Sequence, residues 1–216
     1  MQGDTLVIEQ HHRNAAKEVA QIILPAIQAN ADKYTLTVAG ESGAGKSEVA
    51  SAIADELQAA GISCLIFQQD DYFVHPPKTN DKTRRQDIDW VGTQEVKLDL
   101  LSSHLASFLS GESTLQKPLV HYAEDCISQE TIDMSDVKVG IAEGTYTSRL
   151  ENVNTRVFIN RDYRDTLKHR ERRNRDASEL DDFIDKVLMI EHEIISADKA
   201  VADIIINKDY SVEQGN

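Results

Sequence analysis

Apolar positions along this chain follow two rhythms in turn. Residues 13–30 repeat them at helical spacing, with an interruption or fresh start expected at Pro25. Residues 34–40, YTLTVAG, are rich in β-branched and aromatic side chains and predict a strand. SEVASAIADELQAAG at 47–61 returns to an amphipathic helical pattern closed by Gly61. SCLIFQQD at 63–70 has a continuous apolar middle, which predicts a strand buried on both faces. A loop is expected over 71–93, its course fixed by Pro76 and Pro77, and then a helix over about 94–110 ended by Gly111. VKVGIAEG (137–144) and TRVFIN (155–160) read as two further buried strands. Residues 162–198 read as helix in two pieces, and VADIIINK (201–208) as a last strand. Strands alternating with helices predict a three-layer α/β/α fold around a parallel five-stranded sheet, in one domain over 1–216. In such sheets ligands bind beyond the carboxyl ends of the strands, so those ends are where chemistry should be sought.

Composition adds three constraints. The chain has 216 residues, enough to bury a core without staples, and no apolar run long enough to cross a bilayer. The first residues lack a basic start leading into an apolar stretch, and Cys64 and Cys126 form no disulfide framework, which together predict a cytoplasmic protein with reduced thiols. The net charge is −14, which argues against a nucleic-acid partner. Residues 161–175 stand apart, with seven Arg or Lys against three Asp or Glu, so +4 here leaves −18 elsewhere. A basic patch on an acidic chain implies a local anion.

The strongest local signal is Gly40-Glu41-Ser42-Gly43-Ala44-Gly45-Lys46-Ser47, which fits GxxxxGK[ST] between a strand and a helix. Backbone N–H groups of residues 42–47 can turn inward around phosphate oxygens, and the glycines permit the close approach. The following helix adds its positive end, where Glu48 lies. Gly40, Ser42, Gly43, Ala44, Gly45, Lys46 and Ser47 therefore form the candidate nucleotide cradle, with Lys46 reaching the β- and γ-phosphates and the Ser47 hydroxyl ligating Mg²⁺.

The other strand ends narrow the class. Asp70 and Asp71 follow the second strand, where a carboxylate could orient an attacking hydroxyl and accept its proton late in a loose transition state. Glu143 closes a buried strand and is placed, next to the phosphate loop, to hold Mg²⁺ through water. Arg170 and Arg173 share one helical face and Arg172 and Arg175 another, so one pair can neutralise phosphate charge; spacing leaves open which. NKDY at 207–210 has Tyr210 where a guanine-reading NKxD needs an acid, which weakens a GTPase reading.

Taken together, residues 34–208 resemble the uridine kinase and phosphoribulokinase family of small-molecule P-loop kinases. GESGAGKS is similar to that family's phosphate loop, QDDYF to its QD-x-F-Y segment, IAEG to its VEG strand end, RRNRD to its arginine-rich lid and VADIII to its final AD-containing strand. The resemblance implies an ATP- and Mg²⁺-dependent phosphotransferase acting on a small-molecule hydroxyl. It implies Asp70 rather than Asp71 as catalytic base, Glu143 as the magnesium-side acid, and a mobile helical lid over about 161–178. Asp71, Tyr72, Asp89, His121 and Tyr122 become the candidate acceptor contacts. Asp89 matches poorly, since Trp90-Val91 replace the family's His-Pro, and His121 stands where its acceptor aspartate would be. The cations of HPPKTNDKTRR (Lys78, Lys82, Arg84 and Arg85) suit either a charged acceptor or a solvated face. A nucleotide-binding regulatory module with slow hydrolysis is the alternative, and a homo-oligomer is compatible with such folds by analogy.

Overall fold

The computed structural model describes residues 6–165 and 182–215. Its central sheet runs in the order β2-β5-β1-β6-β7-β8, built from β1 (Tyr34–Gly40), β2 (Cys64–Gln68), β5 (Val139–Gly144), β6 (Thr155–Ile159), β7 (Ile204–Ile206) and β8 (Val212–Gln214). The first five are parallel, as the alternating pattern predicts, and β8 adds an antiparallel edge that it does not. Separate from it stands an antiparallel hairpin, β3 (Thr114–His121) with β4 (Cys126–Asp133).

Each strand divides its residues between two apolar layers. Leu36, Val38, Ile141, Val157 and Ile206 face α1 (Gln10–Ala29) and α2 (Lys46–Ala59), meeting Val19, Ile23 and Ile53. Ala39, Phe67, Ala142, Phe158 and Ile205 face the other way, toward α4 (Leu98–Leu109) and α5 (Asp182–Ile195), meeting Leu101, Leu105, Phe108 and Ile195. Both faces are therefore dry, which explains the near-continuous apolar runs of the strands. No helix among the described residues is long and apolar enough to cross a membrane.

Three expectations need correction. The first helix starts at Gln10 and passes through Pro25 unbroken. Pro25 lies on the solvent face with Gln21 exposed one turn earlier, so water can satisfy the carbonyl that loses its partner. The expected loop over 71–93 contains α3 (Pro77–Gln86), with Pro77 in the first turn, where a missing N–H is harmless. Its start is capped from elsewhere: the Asp125 carboxylate in the hairpin turn accepts from Lys78 N at 2.7 Å and Thr79 Oγ1 at 2.7 Å. The next helix begins at Leu98 rather than near 94, because Thr93–Glu95 is a single 3₁₀ turn.

Register brings the chemistry together. Glu143 is paired with Gln68 on one side and Val38 on the other, and Gly40 with Ile159. The phosphate loop after β1, the turn Gln69–Tyr72 after β2 and the acid ending β5 thus converge at one end of the sheet.

Candidate active site

The loop leaving β1 delivers its chain directly into α2. Gly45 is the N-cap residue at φ +93°, left-handed, and an added Cβ there would stand 3.0 Å from His12 Nε2 and 3.4 Å from Tyr210 Oη. The back of the loop is thus filled by α1 and the β7–β8 turn, leaving its amides for the opposite side. Lys46 Nζ donates to Glu41 O at 3.0 Å, lying back across the loop. Glu41 is buried and doubly held, accepting from Tyr163 N at 2.7 Å and pairing with His192 Nδ1 at 2.6 Å. Nothing in the sequence pattern marks Glu41, because its partners lie 122 and 151 positions away.

Glu143 is 5% exposed and hydrogen-bonded to the Ser47 side chain. Burial pushes its carboxyl up to about 7; the nearby charge of Asp70 acts in the same direction, and Lys46 and Ser47 oppose it. A buried acid flanked by a second acid and a hydroxyl fits a site for a divalent cation, which would relieve the repulsion that raises it. Mg²⁺ would be held here by Ser47 and Glu143, and when bound it neutralises phosphate charge. Asp70 itself is half-buried in the 3₁₀ turn, close enough for its charge to act on Glu143.

Its neighbours face inward, which corrects two acceptor contacts expected from the sequence. Asp71 is 2% exposed, paired with Lys117 Nζ at 2.8 Å and accepting from Val120 N at 3.0 Å. Lys117 also meets Glu130 at 2.5 Å. Asp71 thus hangs the β3–β4 hairpin from the sheet end and offers no open carboxylate. Tyr72 is fully buried, its hydroxyl bonded to His104 Nδ1 at 2.8 Å, with burial pushing the phenol pKa up. His121 Nε2 lies 2.8 Å from Ser128 Oγ on the facing strand, and Tyr122 is half-buried in the hairpin turn. Asp89 is exposed in the 3₁₀ turn Ile88–Trp90.

A separate charged cluster surrounds Arg84. Arg84 of α3 pairs with Glu95 at 2.7 Å and with Glu191 of α5 at 3.1 Å. Asn80 Nδ2 donates to Glu95 at 2.5 Å, and Gly92 N donates to its other oxygen at 2.8 Å. Arg85 pairs with Asp81 at 2.8 Å and its guanidinium lies over Phe183, while Lys78 Nζ donates to Ala123 O. Of the four cations in the acceptor-side segment, three are thereby engaged within the protein. Arg170, Arg172, Arg173 and Arg175, and the expected lid from residue 166 onward, lie outside the described residues.

A glycine loop between a parallel strand and a helix, with acids at the two adjacent strand ends, defines a P-loop domain of the kinase type. The family model described as Phosphoribulokinase / Uridine kinase family matches residues 35–208, and the chain belongs to that family. It is accordingly an ATP-dependent small-molecule kinase. A uridine kinase of Listeria innocua is 31% identical over 181 residues, covering 78% of this chain and 84% of its own. A bifunctional alpha-galactosidase/sucrose kinase of Mediterraneibacter gnavus is 28% identical over 193 residues; these cover 84% of this chain but 21% of that longer protein. Among solved structures, a possible uridine kinase from Bacillus stearothermophilus superposes with a TM-score of 0.64 at 18% identity, covering 89% of this chain and 97% of that one. D-glycerate 3-kinase from Cryptococcus neoformans gives 0.63 at 14% identity, covering 92% and 98%.

Proposed function

We propose that this chain acts as one domain in the cytoplasm and moves the γ-phosphoryl group of ATP to a hydroxyl of a nucleoside or a related ribosyl or sugar compound. The observation that carries the reading is the convergence of Ser47, Lys46 and Asp70 on the buried Glu143 at the carboxyl ends of three adjacent strands. Relatives named for uridine and sucrose support a hydroxyl-rich acceptor.

Residues 42–47 hold the triphosphate through their amides, and Lys46 swings from Glu41 O to the β- and γ-phosphates. Asp70 orients the acceptor hydroxyl in line with the γ-phosphorus. The new bond joins the acceptor oxygen to phosphorus, the bond to the ADP oxygen breaks, and the hydroxyl proton passes to the Asp70 carboxylate. An ordinary carboxylate is a weak base, so its contribution is mainly orientation, with the proton taken late.

Coupled ADP release tests this, with uridine, cytidine, sucrose, fructose, glycerate and ribulose 5-phosphate as acceptors. One acceptor should raise turnover well above background, and Asp70→Asn should lower that turnover by about 100-fold or more while ATP affinity stays within a few fold. Near-normal turnover in the variant would remove Asp70 from this role.

A further inference from the structure

Lys46 rests on the carbonyl of Glu41, while the carboxylate of the same residue is held by His192 of α5. We propose that His192 is a positioning residue for the nucleotide: it keeps the Glu41 carboxylate off Lys46, so that the ammonium is free to move to the phosphates. The inference rests on the reading of Lys46 given above and adds a residue of α5 to the working of the phosphate loop.

Glu41 is the first residue beyond β1, and Gly40 before it is paired with Ile159 of β6. Its peptide group is the pivot of the loop: the carbonyl accepts from Ala44 N at 3.1 Å and from Lys46 Nζ at 3.0 Å. Its buried carboxylate is divided between two other segments. Oε2 accepts from Tyr163 N, on the chain leaving β6, at 2.7 Å, and Oε1 lies 2.6 Å from His192 Nδ1. The Tyr163 ring stands edge-on to the imidazole with centroids 5.9 Å apart, so one residue steadies both members of the pair.

An acid at this place is a hazard in a loop that receives a triphosphate. A carboxylate competes with phosphate oxygens for the nearest ammonium, and Lys46 already lies on the same residue. A turn of the glutamate side chain would exchange the neutral carbonyl for a charged acceptor, a stronger contact than the one it replaces. Lys46 would then be occupied by the protein instead of the nucleotide. Tyr163 supplies one backbone donor against that outcome; the imidazole supplies the second and, when protonated, a counter-charge. The His192 side chain is 39% exposed, so it adds little to the core and its contribution here is the contact with Glu41.

Calorimetric titration of the full chain with Mg·ATP tests this, at a temperature where circular dichroism shows each variant folded. His192→Ala should weaken ATP binding about tenfold. Glu41→Gln added to it should restore affinity to within about threefold of the Glu41→Gln variant alone, because the competing charge is gone. In a Lys46→Ala background, His192→Ala should change affinity by less than about threefold, because the contested cation is gone. Unchanged affinity in His192→Ala overturns the inference. So does a tenfold loss that persists beside Glu41→Gln, which would make the pair a structural tie, or beside Lys46→Ala, which would have the imidazole act on the phosphates directly. Unchanged affinity in Lys46→Ala alone would overturn the reading of Lys46 and this inference with it.

Discussion

Gly144→Ala adds one methyl group where the end of β5 has no room for it. Gly144 ends β5 at φ +157°, in the region L side chains rarely adopt, and an added Cβ would overlap Gln69 Cβ and come within 2.8 Å of its Cδ. Neither partner can step aside cheaply: Gln69 is 1% exposed and its Oε1 holds the Tyr146 amide, while β5 lies between β1 and β2. Backbone strain of about 1–2 kcal/mol and overpacking of about 1–3 kcal/mol together give about 2–5 kcal/mol of destabilisation. For a domain of this size that lowers the melting temperature by about 4–20 °C. The functional loss should be larger than the stability loss suggests, because Gln69 precedes Asp70. Displacing a reacting group by about 1 Å costs on the order of 100-fold in rate. Thermal unfolding followed by circular dichroism, with acceptor-stimulated ADP release at a temperature where the variant is fully folded, separates the two effects. A variant melting within about 2 °C of the parent with unchanged kcat would refute the close approach and its link to Asp70.

Three further outcomes follow from the described contacts. In the presence of chelator, Glu143 has a folded pKa of about 7 against an ordinary 4.5, so the folded state keeps a proton that the unfolded chain has released. Stability therefore falls as pH rises from about 4.5 to 7, by on the order of 3 kcal/mol at most, and Glu143→Gln should be more stabilising at pH 8 than at pH 4 by denaturant titration. An equal effect at both pH values would remove the cause given for the shift. Lys117→Ala leaves Asp71 buried without its cation and should cost about 3–5 kcal/mol, whereas Lys117→Met combined with Asp71→Leu should recover most of it; equal midpoints for the two would show the pair to be inert. Lys46→Ala should abolish acceptor-stimulated turnover and weaken ATP binding by calorimetry, and unchanged binding and rate would remove Lys46 from the cradle.

The parts of the fold that sequence revealed are those fixed by local signals. The central parallel strands announced themselves because both their faces are buried, and the phosphate loop because its spacing is contiguous; β2, expected to be buried on both faces, is the sheet edge and fully buries only Phe67. The β3–β4 hairpin stayed hidden because LQKPLVH carries a lysine at a buried position, and that lysine is tolerable only opposite Asp71, 46 positions earlier. Asp71 and Tyr72 looked like acceptor contacts by adjacency to Asp70; the direction of each side chain in a 3₁₀ turn decides otherwise. Glu95 and Glu191 carried no signal, since what joins them is Arg84, 11 residues from one and 107 from the other. Val212–Gln214 is too short to pattern at all.

The borrowed cap on α3 bears on how this chain reaches its folded state. The sequence PKTNDKTRRQ has no apolar stripe to drive it onto a surface, and Pro76 before it supplies no side-chain acceptor. Its first amides are satisfied by Asp125, which is brought near only after β3 and β4 have paired and the turn between them has formed. Helix formation here is therefore a late event, conditional on a contact that closes a loop of more than forty residues. A peptide of residues 75–90 alone would remain a coil. Arg84 rides on that same helix, so the neutralisation of Glu95 and Glu191 is completed only when the hairpin has docked. Assembly of α3 thus acts as a checkpoint: a chain with its sheet and phosphate loop in place, but its hairpin undocked, would leave Glu95 and Glu191 without their cation.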